Sequence, residues 1–112
     1  MSVVGNPDDS VVISVRGDLD LDSAPVLTTT LEQVLDRARP CVVVDLSGVG
    51  FCDSIGLSAF VIGQRRAHDA GGFLRLAAPG AWLARLLDTV GLTRRIGVYP
   101  SVAEALADRP GD

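Results

Sequence analysis

The residues of this chain best suited to chemistry are Asp53 and Ser54, which stand between an apolar, β-branched run, CVVVDLSGV at 41–49, and a helically spaced run beginning SIGLSAF at 54–60. At the start of a helix the first backbone N–H groups have no intrahelical acceptor, and the helix dipole favours negative charge. An Asp or Ser side chain there can cap the helix, a contribution of about 1 kcal/mol. A serine hydroxyl in the same place can also accept a phosphoryl group, which adds about −1.5 to −2 charges and three acceptor oxygens. Spacing alone leaves both readings open.

Stepping about 100° per residue from Ser54 places Ser58, Arg65 and Asp69 within about 60° of it, and Ala59, Phe60, Gly63 and Ala67 on the far side. The serine is therefore expected to face solvent, with Val61 and Ile62 beside the polar stripe as an apolar foothold for a partner. Other chemistries lack their residues. Gly48-x-Gly50 has Asp53 where a dinucleotide-binding turn needs its third glycine. Cys52 could open a phosphatase-type loop, but the arginine such a loop needs six positions on is Ser58. The chain has no lysine to accompany a receiver-type phosphoacceptor aspartate, and His68 is isolated near a helix end. Trp82 with Leu83, Leu86 and Leu87 reads as core packing. No catalytic constellation or metal-ligand cluster emerges, so the expectation is a protein that is not an enzyme and uses no cofactor.

The elements that must position Asp53 and Ser54 fit into one domain. A chain of 112 residues buries roughly two thirds of the surface its unfolded form exposes, so it needs neither metal nor disulfides to hold a core. Its net charge is −4 and its ten basic residues are all arginine, a balance that argues against a nucleic-acid backbone as partner. Cys41 and Cys52 lie in apolar segments without CxxC spacing and read as free thiols in a reducing compartment. Neither a signal peptide nor an apolar run of ~18 residues is visible, which predicts a cytoplasmic protein without a membrane partner.

Along the chain, Val3 and Val4 suggest a short edge strand, and 5–10 (GNPDDS) a turn. A strand is expected at 11–15. A helix follows in which Leu27, Leu31, Val34, Leu35 and Ala38 recur at helical spacing, with Asp22 and Ser23 as caps and Pro40 as terminator. The run at 41–49 reads as a central strand broken by Gly48 and Gly50. Then come a helix at 54–70, a strand at 73–78, a helix at 81–90 with Gly91 as left-handed cap, a strand at 96–99 and a closing helix at 101–107 with Ser101 and Glu104 in capping-box spacing. Residues 108–112 read as a frayed tail. Alternating strands and helices give an α/β domain with a mixed, mostly parallel sheet of about five strands and about four helices.

The stretches GDLDLDSAPVL, VVVDLSGVGFCDSIGLSAF, AGGFLRLAAP, DTVGL and SVAEALA together resemble the STAS family of anti-sigma factor antagonists over about residues 11–107, most specifically in the D-S-x-G-L element at 53–57. The resemblance implies a STAS-type domain that, unphosphorylated, binds an anti-sigma factor that is also a serine kinase of the histidine-kinase-like ATPase fold. Binding releases a sigma factor; phosphorylation of Ser54 ends the binding, and a PP2C-type phosphatase restores it. Asp20 matches the acidic residue of the family's G-x-L-D segment and is expected beside the serine, shaping the docking site. The implied partner surface comprises Asp20, Asp53, Ser54, Ile55, Gly56, Ser58, Val61, Ile62 and Arg65. Three positions depart from the family pattern: Ile55 stands where small polar residues are frequent, Ser58 where glycine is common, and Val90 interrupts the threonine-glycine-leucine element. Two other readings stay open, a structural or regulatory subunit of a transporter or stress-signalling assembly, and a small-ligand or nucleotide sensor using the anion-friendly helix start.

Overall fold

The computed structural model describes residues 1–108. Strands β1 (Ser2–Gly5), β2 (Val11–Leu19), β3 (Cys41–Cys52), β4 (Phe73–Ala77) and β5 (Val98–Tyr99) lie side by side in that order, β1 antiparallel to β2 and the remaining neighbours parallel. Four helices complete the fold: α1 (Ala24–Leu35), α2 (Ser54–Asp69), α3 (Ala81–Thr89) and α4 (Val102–Ala107). The fold is the expected mixed, mostly parallel α/β sheet with an antiparallel edge.

The strands' period of two divides the core. Val11, Ile13, Val42, Val44, Leu74 and Leu76 point to the face that α1, α2 and α3 cover, where they meet Leu27, Leu31, Phe60, Leu83 and Leu87. Val43 and Ala77 point the other way and pack under Ala105 of α4. Covering both faces explains why the run at 42–44 is apolar without alternation. The small cluster under α4 is closed by the buried Arg75, whose Nη1 donates to the carbonyls of Ala105 at 2.7 Å and Asp108 at 2.6 Å. Its guanidinium lies 3.7 Å from the centre of the Phe73 ring, a cation–π contact. The Tyr99 hydroxyl donates to the Asp108 carboxylate. Asp108 is thus tied down, contrary to the expected frayed tail from 108; the rest of that tail, 109–112, lies outside the described residues.

The largest departure from expectation concerns length. β2 runs on from Val15 to Leu19, and β3 continues through Gly48 and Gly50 to Cys52. The two strands keep pairing, Arg16 with Gly48, Gly17 with Val49, Asp18 with Phe51 and Leu19 with Cys52, across register shifts that flank Arg16 and Gly17. The glycines permit these irregularities: Gly17 has φ +85°, and a Cβ on Gly48 would come within 2.9 Å of Arg16 Cγ. β4 pairs only with residues 41–45 of β3, so beyond Asp45 the β2–β3 pair projects as a two-stranded extension.

Smaller differences are local. α1 stops at Leu35 with Asp36 as C-cap, four residues before Pro40, and leaves Ala38 exposed. β5 is confined to Val98–Tyr99, while Ile96 is a buried anchor before it. Gly91 adopts the expected left-handed conformation at φ +80°, starting a 3-10 turn at Leu92–Arg94. Ser101 Oγ accepts the Glu104 N–H at 3.1 Å, the first half of a capping box.

Candidate functional site

The tip of the β2–β3 extension delivers the two segments that meet at the site. The Asp53 N–H donates to the Leu19 carbonyl at 3.0 Å, so Asp20, the residue after Leu19, and Ser54, the residue after Asp53, stand at the same end of the sheet. Asp53 has extended backbone geometry, and its Oδ1 accepts the N–H groups of Ile55 at 3.0 Å and Gly56 at 3.1 Å. The N-cap of α2 is therefore Asp53 alone. Ser54 is the first helical residue, exposed, and among the described residues no hydrogen bond engages its hydroxyl.

Gly56 explains why α2 can begin so close to the sheet. A Cβ at this position would lie 2.9 Å from Cys52 Sγ, 3.1 Å from Leu19 Cβ and 3.3 Å from the Leu19 carbonyl. Only glycine permits that approach without displacing the strand ends. Cys52 beneath it is buried, and burial first, then the charge of Asp53, pushes its thiol up to about 11. Cys52 is thus a neutral packing residue at physiological pH, and both cysteines are free.

Asp20 is occupied as well as charged. Its Oδ1 accepts the N–H groups of Asp22 and Ser23 at 3.1 Å each, folding the turn between β2 and α1. The Ser23 N–H and hydroxyl hold the Asp20 carboxyl below the ordinary carboxylate value. The Asp18 carbonyl, 2.5 Å from the Ser23 hydroxyl, shares that hydroxyl's single proton with Asp20 Oδ1. Asp20 thus presents a negative charge held in the β2–α1 turn, at the end of the sheet where α2 starts.

The expected solvent stripe of α2 is observed: Ser54, Ser58, Arg65 and Asp69 are exposed, with Ile62 exposed and Val61 half-buried beside them, whereas Ala59, Phe60, Gly63 and Ala67 are buried, as is Gly56. A shallow, mostly apolar groove runs along α2, lined by Ser54, Leu57, Ser58, Val61 and Ile62, with Val90 and Leu92 from the end of α3. Of the nine residues expected on a partner surface, four line this groove. Asp20, Asp53 and Ile55 sit at the tip, and Arg65 lies further along α2. Gly56 is buried, so its part is to seat the helix and not to touch a partner. The Ser58 hydroxyl donates to the Ser54 carbonyl at 2.8 Å, leaving it less to offer a ligand.

One residue at this end departs from the sequence reading. Trp82, expected in the core, is 50% exposed, and its ring stacks on Phe51, itself 44% exposed, with centroids 5.9 Å apart and planes 20° off parallel. Helical periodicity assigned Trp82 to the Leu83 and Leu87 face, but the helix turns those two leucines inward and leaves Trp82 in its first turn, against the strand tip. Nothing in the local sequence marks that contact, because Phe51 belongs to an extension that bulges conceal.

In chemical terms, a free hydroxyl stands on a helix start capped by the Asp53 carboxylate, beside an apolar groove and at the same end of the sheet as Asp20. Loose anions are poorly served here, since the Asp53 carboxylate already takes two first-turn N–H groups and repels further negative charge. A covalently attached phosphate would meet the same repulsion without the option of leaving.

Known proteins share this sequence pattern and architecture. A family model described as Mlab, STAS domain matches residues 2–100. The anti-sigma-B factor antagonist of Bacillus subtilis is 31% identical over 85 residues, covering 76% of this chain and 77% of that protein. The anti-sigma-F factor antagonist RsfB of Mycobacterium tuberculosis is 26% identical over 95 residues, covering 85% and 77%. The crystal structure of an anti-sigma factor antagonist from Mycobacterium paratuberculosis superposes with a TM-score of 0.83 at 28% identity, covering 94% of this chain and 90% of that one.

Proposed function

The chain belongs to the STAS domain family, and on that premise we propose that it is an anti-sigma factor antagonist switched by phosphorylation of Ser54. In the unphosphorylated state it binds an anti-sigma factor that is also a serine kinase of the histidine-kinase-like ATPase fold, and so frees a sigma factor. Phosphorylation of Ser54 by that kinase ends the interaction, and a PP2C-type phosphatase reverses it. The antagonist regulates by binding and catalyses nothing itself.

The observation that carries this reading is the exposed, unengaged Ser54 hydroxyl on a helix start that Asp53 caps, at the same end of the sheet as Asp20. A kinase can reach it without unfolding α2, because the cap belongs to Asp53. Once a dianionic phosphate is in place, like charges crowd the tip, and any partner group desolvated against that tip is penalised. The helix itself stays intact, since a phosphate at the first helical position complements its dipole. Regulation then acts on partner affinity and not on the fold.

The test uses the serine kinases of this ATPase fold from the source organism, each incubated with the purified protein and Mg-ATP. Intact-mass and fragment analysis should find one phosphate on Ser54, and the complex should dissociate as it appears. Ser54→Ala should bind the same kinase and remain bound with ATP present. Equal release of Ser54→Ala and the parent would overturn the switch.

A further inference from the structure

We propose that the Phe51–Trp82 stack is the anchor that holds the anti-sigma factor, and that it fits an apolar pocket rimmed by arginine or lysine on that partner. The inference rests on the proposed function and adds to it the residues that supply affinity. Both rings are about half exposed although they face one another, and the chain carries a single tryptophan. Ile55, 43% exposed, and Leu21, 68% exposed, extend the apolar surface of the tip. Soluble proteins seldom leave large apolar groups clustered without a partner, and tryptophan is enriched among residues that dominate binding energy.

Distance makes the stack difficult for a partner to avoid. Phe51 and Ser54 are three positions apart, so their Cα atoms are at most ~11 Å apart at ~3.6 Å per residue. A specific interface covers roughly 800 Å² on each side, a disc about 16 Å in radius. The footprint of a kinase centred on Ser54 is therefore wide enough to include Phe51, which the stack joins to the first turn of α3.

Charge sets the chemistry of the rim. Residues 17–22 and 50–58 contain four aspartates, Asp18, Asp20, Asp22 and Asp53, and no arginine. Asp18 pairs with Phe51 across the extension. The strand side of the stack is acidic, whereas α3 adds the exposed Arg85 one turn from Trp82, so the complementary partner is an apolar pocket whose basic groups face the strand tip.

The experiment uses the kinase that phosphorylates the parent protein, titrated with the parent, Phe51→Ala, Trp82→Ala and Trp82→Phe, with circular dichroism as a check on folding. The two alanine variants should stay folded and bind at least ten-fold more weakly. Trp82→Phe, which keeps a stacking ring, should bind within about three-fold of the parent. Trp82 fluorescence should shift on binding to the parent, and the association rate should fall as salt rises. If folded alanine variants bind like the parent, the anchor is overturned while the Ser54 switch stands. If no kinase binds or phosphorylates the parent, both fall. If the parent instead self-associates in a manner that Phe51→Ala abolishes, the stack is a contact between copies of the chain and this assignment is wrong.

Discussion

At the start of α2 the half-buried Asp53 carboxylate takes the N–H groups of Ile55 and Gly56, whereas near the end of α4 the buried Arg75 guanidinium takes the carbonyls of Ala105 and Asp108. Both place a charge of the favourable sign at a helix terminus. Their surroundings differ. Arg75 is enclosed by Phe73, Tyr99 and α4, so its hydrogen bonds hold α4 to the sheet. Asp53 stands at a projecting tip, satisfies the helix, and by doing so leaves the neighbouring serine hydroxyl without structural duties. The contrast teaches that a residue becomes available for regulation when its neighbour does the structural work.

Substitutions can test that division of labour. Arg75→Ala should have the largest effect: it removes two charge-assisted hydrogen bonds and the packing on Phe73, at a cost of about 3 kcal/mol. A shift in the urea midpoint, with faster amide exchange in α4 than in α2, would support the assignment; a stability equal to the parent's would remove Arg75 from it. Gly56→Ala should follow at about 2 kcal/mol, because the new methyl group meets Cys52 and Leu19 and must push the helix start away from the sheet. Partner binding should weaken in that variant even though residue 56 stays buried.

Asp53→Ala should cost about 1 kcal/mol, the usual loss for a cap. Thermal melting with the Ser54 variants alongside shows whether the cap belongs to Asp53 or is shared. Ser54→Ala should change stability least, by less than about 0.5 kcal/mol, because the hydroxyl supports nothing in the fold. A loss as large as that of Asp53→Ala would mean the serine is structural, and the contrast with Arg75 would collapse.

Much of this was legible in the sequence because it is periodic. The apolar face of α2 follows from Ala59, Phe60, Gly63 and Ala67, and the central place of β3 from an apolar run without alternation. What escaped depends on contacts distant in sequence. The register shifts around Arg16 and Gly17 break the strand period, so the extension looked like turns. The exposure of Trp82 depends on Phe51, which periodicity within α3 cannot register. The distinct parts of Asp53 and Ser54 were ambiguous for another reason: either side chain can cap, and only the extended backbone of Asp53 decides between them.

The two-stranded extension also has a consequence in time. Asp20 and Ser54 reach the same end of the sheet only after Leu19 and Cys52 have paired, across an intervening helix and the first half of β3. Such pairing closes a long loop and is among the slower events of folding, since the entropy of closure comes before the contacts that reward it. Beyond Asp45 the extension gains no support from β4, so the acidic tip and its serine assemble late. A kinase that reads the assembled tip would therefore act on finished molecules and pass over chains still folding.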